Sequence, residues 1–282
     1  MKKHIAILSL FVLFAFCSCN KIMLSGNNIT ETFSVEGTYT ELQVENAFDV
    51  TVSDTATQIT ITTDENVMPM VVVEKVEGKL YIHLKPLTLY TGKLDLDVIL
   101  PYNADLKSVN LSGASEFHSI YGLTGEKIEV KLSGASEFYG NLEANEVKVD
   151  LSGASDFYGN IVATEFDAEL SGASDIEGNV TATEFDLDMS GASEATLVGQ
   201  VTTLEIDLEG ASRVIEKVVE NKYALVCDNC EGEMSGASSA YIHCDGTIRV
   251  NLSGASYLHF TGEAFTADSN TSGGSKIIHE NP

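Results

Sequence analysis

The pentapeptide Leu-Ser-Gly-Ala-Ser stands at Leu111–Ser115, and close copies return through the rest of the chain. The motif glycine falls at Gly113, Gly134, Gly153, Gly172, Gly191, Gly210, Gly236, Gly254 and Gly273, separated by 21, 19, 19, 19, 19, 26, 18 and 19 residues. So short a period allows one small unit per repeat. Such a unit cannot bury an apolar side alone and has to stack on its neighbours.

The residues before each glycine alternate. Two positions upstream lie Leu111, Leu132, Leu151, Leu170, Met189, Leu208, Met234 and Leu252, and four upstream lie Val109, Val130, Val149, Ala168, Leu187, Ile206 and Val250. Between them stand mostly charged residues, such as Asp167, Glu169, Asp186 and Asp188. A period of two marks strands with one buried face, and a helical period fits badly. Each repeat reads as strand, Ser-Gly corner, second short strand and often a Gly-Asn turn, as at Gly140-Asn141, Gly159-Asn160 and Gly178-Asn179. Coils stacked at roughly 4.8 Å make an all-β fold, a single-stranded parallel β-helix (solenoid) with ~19-residue coils. It is expected to be right-handed, as parallel crossovers almost always are. Nine coils would give a rod of about 40 Å.

The corner residues have physical reasons. Glycine enters positive φ at no steric cost, and the small alanine tolerates close stacking between coils. The serine that follows recurs in all nine copies, and stacked hydroxyls are suited to bonding corner backbone groups. Nine equivalent serines without a paired base describe a scaffold rather than a nucleophile.

Charge narrows the function classes. The net charge of −26 and the two arginines, Arg213 and Arg249, exclude a nucleic-acid partner, because phosphate binding needs a basic face. Hydrophobic residues make up 44% of the chain in tight periodicity, which argues against disorder. Of the charged residues, 21 acidic and 4 basic fall in 101–212.

The chain starts with Lys2 and Lys3, then an apolar run from Ile5 to Phe16 too short for an ordinary membrane span. The following Phe16-Cys17-Ser18-Cys19 resembles a bacterial lipoprotein signal, which implies cleavage after Ser18 and lipid on Cys19. Residues 1–18 are then a signal peptide and 19–30 a polar tether. Residues 31–282 form the β-helix domain, with 31–100 as irregular first coils and 101–282 as the regular repeats.

Taken together, the repeated Ser-Gly-Ala-Ser-Asp/Glu turns, the lipoprotein start, "VENAFDVTVSD" at Val44–Asp54 and the stretch "ITITTDENVMPMVVVEKVEGKLYIHL" carry a resemblance. The chain resembles the putative auto-transporter adhesin, head GIN domain family from about Phe33 onward. The resemblance implies a secreted or lipid-anchored parallel β-helix without catalytic residues. The Gly-Ile-Asn tripeptide is replaced here by Ala47-Phe48-Asp49.

Three constellations could carry chemistry. Glu116, Glu137, Asp156, Asp175 and Glu194 should stack after the corner, while Asp150, Asp167, Glu169, Asp186, Asp188, Glu205 and Asp207 should form a second acidic patch. Both read first as solvated faces, with binding of a divalent cation such as calcium as the alternative, although calcium needs six to eight converging oxygens. An aromatic column follows at His118, Tyr139, Tyr158, Tyr241 and His259. Cys227, Cys230 and Cys244 suggest a disulfide, Cys227–Cys244 or Cys227–Cys230, in an exported protein. Buried thiols, or a zinc site completed by His243, are the alternatives. No catalytic residue and no resident cofactor is expected.

The leading functional reading is a non-enzymatic cell-envelope lipoprotein, held in the outer membrane by its lipid and displaying a repetitive surface to a protein or glycan. A polysaccharide-active β-helix enzyme and a structural or regulatory periplasmic module are the rivals. For the enzyme, the insertion at 214–229 with Glu216, Lys217, Glu220 and Lys222 is the one place for a pocket wall.

Overall fold

The structure is a computed structural model that describes residues 21–86, 89–215 and 225–280. Cys19 therefore lies outside the described residues, as do Glu216, Lys217, Glu220 and Lys222. Among the described residues the regular secondary structure is all strand except for one 3-10 turn, Met68–Met70. It forms a β-solenoid of about nine turns with ~19-residue coils, as the glycine spacing predicts.

Each regular coil contributes to three faces. The strand before the corner pairs in parallel with its counterparts, so that Leu111 aligns with Leu132, Leu151 with Leu170 and Leu170 with Met189. After the corner, Phe117 aligns with Phe138, and Phe138 with Phe157. The third, short face aligns Leu123 with Leu142, Leu142 with Ile161 and Ile161 with Val180. Alternation sends these residues inward, where they are fully or almost fully buried.

Because the register holds residue for residue along the strands on either side of the corner, like sits on like. The rings of Phe117, Phe138 and Phe157 stack at 5.2 and 5.1 Å, and those of Phe166 and Phe185 at 4.5 Å. Each such buried side chain contributes about 1.5–3 kcal/mol by leaving water.

The corners set the stacking. Gly134, Gly153 and Gly172 hold φ of +81 to +83°. The carbonyl of each corner glycine from Gly113 to Gly236 accepts a hydrogen bond from the alanine of the next coil, as in Ala154 N to Gly134 O at 2.8 Å. A Cβ on Gly172 would meet Gly153 O at 2.5 Å. The serines are buried and close their own corners. Ser136 Oγ donates to Ser133 O at 2.8 Å and Ser155 Oγ to Ser152 O at 2.7 Å. Ser256 and Ser275 also reach the preceding coil, donating to Met234 O and Leu252 O.

Both ends are closed, each differently. Residues 31–100 build parallel coils too, but these are not stacked in chain order. Glu41–Val44 and Asp49–Ser53 make one parallel coil that pairs with Ser108–Leu111 and Glu116–Leu132. On its other side that coil pairs in parallel with Lys79–Leu84 and Asp97–Pro101, Val71–Val76 forms an antiparallel hairpin with Lys79–Leu84, and Asn28–Phe33 runs antiparallel to Ile59–Asp64. The expected tether thus differs from what is seen: Lys21–Met23 pairs with Leu89–Thr91, and Asn28–Thr30 opens a strand on the cap. Its Ile29 and Phe33, partly buried against the core, anchor that strand. At the other end the inward columns change from Val and Leu to Ala267, Ser269 and Thr271. Ser269 Oγ accepts from Val250 N and donates to Ile248 O, both at 3.1 Å. A polar last coil leaves little apolar surface for a further one to cover.

The corner of the first coil is Glu45-Asn46-Ala47-Phe48-Asp49, in register with Ser112–Glu116, since Ser112 N bonds to Val44 O and Glu116 N to Phe48 O. Asn46 and Ala47 lie at φ +75 and +69°, where only glycine is unstrained. Ala47→Gly should therefore raise stability by about 0.5–1 kcal/mol, the left-handed penalty less the chain entropy of glycine, measured by urea unfolding. In the opposite direction, Gly172→Val should cost about 2–5 kcal/mol from backbone strain plus the clash with Gly153 O.

Candidate functional site

The acidic patch is assembled on the strand face before the corner. Asp167, Asp186 and Glu205 align on three neighbouring coils, and Asp150, Glu169, Asp188 and Asp207 align on four. All seven point outward because they alternate with the inward columns. A groove of about 690 Å3 runs beside them, lined by Asp150, Glu169, Asp188 and Asp207 and by the corner serines Ser133, Ser152, Ser171 and Ser190.

Lysines neutralise one end of this patch. Lys148 bonds Glu169 at 2.5 Å and lies 3.5 Å from Asp150, while Lys131 lies 3.7 Å from Asp150. On the next coils the aligned positions are acidic on both strands, as at Asp186–Glu205 and Asp188–Asp207. Burial, then Asp188, Glu205, Asp167 and Asp207, push the carboxyl of Asp186 up to about 6. Burial and like charge also raise Asp188 and Glu205. The carboxylates do not converge, however. Among the described residues, no three of the seven bring donor atoms within 4.8 Å of one another. Side chains on a ladder leave the sheet side by side, so the register that gathers the acids also keeps them apart.

The second acidic column lies after the corner and is longer than the repeats indicate. Asp97 aligns with Asp49, Asp49 with Glu116, Glu116 with Glu137, Glu137 with Asp156, Asp156 with Asp175 and Asp175 with Glu194, before Arg213 ends it. Asp49 and Asp97 are the members that sequence reasoning misses, since neither follows a Ser-Gly-Ala-Ser corner. The position of Asp49 in the same five-residue frame as Glu116 was the available signal. Beside the column, the rings of His118, Tyr139 and Tyr158 stack at 4.5 and 4.9 Å. The hydroxyl of Tyr139 donates to Glu137. Tyr241 stacks on His259 at 4.4 Å further along the rod.

The cysteines are inside. Cys227 aligns with Cys244 on the next coil, Cys230 aligns with Leu204 and Ile248, and all three carry free, buried thiols. A hydrogen bond to the Cys230 sulfur, with burial, pushes Cys227 up, and one to Cys227, with burial, pushes Cys244 up. Protonated thiols are poor ligands and nucleophiles. Among the described residues the four candidate zinc donors do not meet. His243 points outward, 2.9 Å from Thr261 Oγ1 and 3.4 Å from Asp245, whereas its neighbour Cys244 points inward.

A stacked, three-faced solenoid with ordered outward columns and polar caps defines the class. The family model described as "Putative auto-transporter adhesin, head GIN domain" matches residues 38–160 and 157–264. The chain belongs to this family. Its fold is similar to the crystal structure of a putative adhesin from Parabacteroides distasonis, with a TM-score of 0.64 at 18% identity, covering 93% of this chain and 100% of that one. A putative adhesin from Parabacteroides merdae matches with a TM-score of 0.59 at 15% identity over 92% and 99% of the two chains. A protein from P. distasonis described as a putative lipid binding protein matches with a TM-score of 0.57 at 18% identity over 92% and 99%. No curated protein matches the sequence.

The acidic face predicts an inverted pH response. The folded-state pKa of Asp186, about 6, lies above the unfolded value of 3.8. Its contribution is thus fully present below about 3.8 and is lost as the pH rises through 6. Melting temperature should increase from pH 7 to pH 5. Asp186→Asn should raise it at pH 7 and flatten that slope, as differential scanning calorimetry would record.

Proposed function

We propose that the protein is a non-enzymatic cell-envelope lipoprotein, anchored through Cys19 in the outer membrane, whose rod displays a rigid acidic surface to a protein or glycan partner. The observation that carries this reading is the acid-lined groove of about 690 Å3 beside the stacked carboxylates. A surface ordered by the core beneath it needs no reorganisation on binding, and its charge favours a partner with a cationic face. Family membership supports the same reading.

Hydrolysis or elimination on a glycan calls for an acid and a base that approach one substrate atom. In this fold the corner serines are buried and donate to backbone, and the carboxylates stand in parallel rows. Neither arrangement supports the enzyme reading. Among the described residues no helix is long and apolar enough to cross a membrane. The lipid anchor is proposed from the Phe16-Cys17-Ser18-Cys19 signal.

Two measurements test the proposal. Protease treatment of intact cells should remove the protein from the surface, and full protection would rule out display to other cells. Purified protein should bind without turnover when offered acidic and neutral polysaccharides with and without calcium. Turnover that disappears with Glu216→Gln or Glu220→Gln would establish the enzyme instead.

A further inference from the structure

Asp49, Glu116 and His118 meet where the N-terminal cap joins the regular coils. Glu116 aligns with Asp49 across two parallel strands, Asp49–Ser53 and Glu116–Leu132. His118 follows Glu116 by two residues and so leaves the sheet on the same side. Its Nε2 lies 3.2 Å from Glu116 Oε2 and 3.8 Å from Asp49 Oδ1. One donor atom from each residue lies within 4.8 Å of the other two. Ligands bound tetrahedrally at roughly 2.0–2.1 Å stand about 3.3 Å apart, which the two nitrogen–oxygen separations bracket.

The imidazole is held for this geometry. Its ring stacks on Tyr139 with 4.5 Å between centroids and 7° between planes, and Tyr139 is tied in turn to Glu137. The other carboxylates of the column differ in one respect. Glu137 and Asp156 have a tyrosine in the place of His118, and Asp175 has Glu177. A nitrogen donor is thus added to the acidic column at this coil.

We infer that Asp49, Glu116 and His118 form a binding site for a divalent transition-metal ion of the zinc type. Imidazole with two carboxylates suits zinc and its neighbours, whereas calcium takes six to eight oxygens and gains little from nitrogen. Three protein ligands on a half-exposed surface leave a fourth position for water. The bound ion would bridge two coils and pin the cap to the first regular repeat, independently of whether the rod displays its acidic groove.

Equilibrium dialysis of the purified full chain against zinc, followed by metal analysis, tests this. Other histidines and the exposed carboxylates can also bind zinc, so the readout is a difference between variants. His118→Ala should bind one equivalent fewer than the parent. Asp49→Asn and Glu116→Gln should weaken that equivalent by about tenfold or more. Asp175→Asn, in the same column without an imidazole beside it, should keep it. Zinc should raise the melting temperature of the parent more than that of His118→Ala, because an ion that binds only the folded state stabilises it. Equal zinc content and equal thermal shifts in parent and His118→Ala would overturn the proposal, as would calcium binding there as tightly as zinc. If His118→Ala fails to fold, Glu116→Gln decides by the same two readouts.

Discussion

The hydrogen bond from the corner alanine N–H to the glycine carbonyl of the coil before it, repeated from Ala135 to Ala255, governs the rest of the structure. Ala135 to Gly113, Ala154 to Gly134 and Ala173 to Gly153 all measure 2.8 Å. This approach leaves no room for a Cβ on the glycine and requires the left-handed backbone that glycine adopts freely. With the corner pinned, the strands on either side have one available register. The phenylalanine stack, the leucine columns and the buried serines all follow from that register. A slip by one residue would turn every apolar column toward water.

The same register creates the electrostatic character of the surface. Placing each coil on an identical one multiplies whatever charge a repeat carries, so Asp167, Asp186 and Glu205 are brought together as unavoidably as Phe166 and Phe185. For the aromatic pair stacking is favourable, while for the carboxylates it is repulsive, and burial together with that repulsion raises the proton affinity of Asp186 and Glu205. The core therefore sustains a surface that would not assemble alone. Repulsion of this kind also discourages lateral association of rods, and the small or polar residues Ala267, Ser269 and Thr271 discourage end-on growth.

Much of this was legible in the residues. The spacing of Gly113 through Gly273 and the alternation of Val, Leu and Ile before each glycine carry the solenoid, its coil length and its inward columns. The seven carboxylates of the patch were readable for the same reason, since identical positions in a stacked repeat share a face. The N-terminal region was less legible. Alternation in "QITITTD" and "KLYIHL" identifies strands, but a period of two does not distinguish parallel from antiparallel pairing, so the hairpin and the cap strand Asn28–Phe33 do not emerge from it. Convergence was illegible as well. The seven acids share a face without forming a cluster, while Asp49 joins His118 and Glu116 across 69 residues of chain.

The sequence by itself therefore determined the coil, because a short repeat with one glycine and one apolar column per face has a single way to bury that face. It also determined the acidic nature of the surface, since outward positions are written directly in the alternation. Only the tertiary structure decided which coil lies first, how both ends are closed and which charged groups stand within ligand distance. Those outcomes depend on pairing between segments with no shared period. Asp49 and Glu116 become neighbours through strand register, which local pattern leaves open and hydrogen bonding between coils settles.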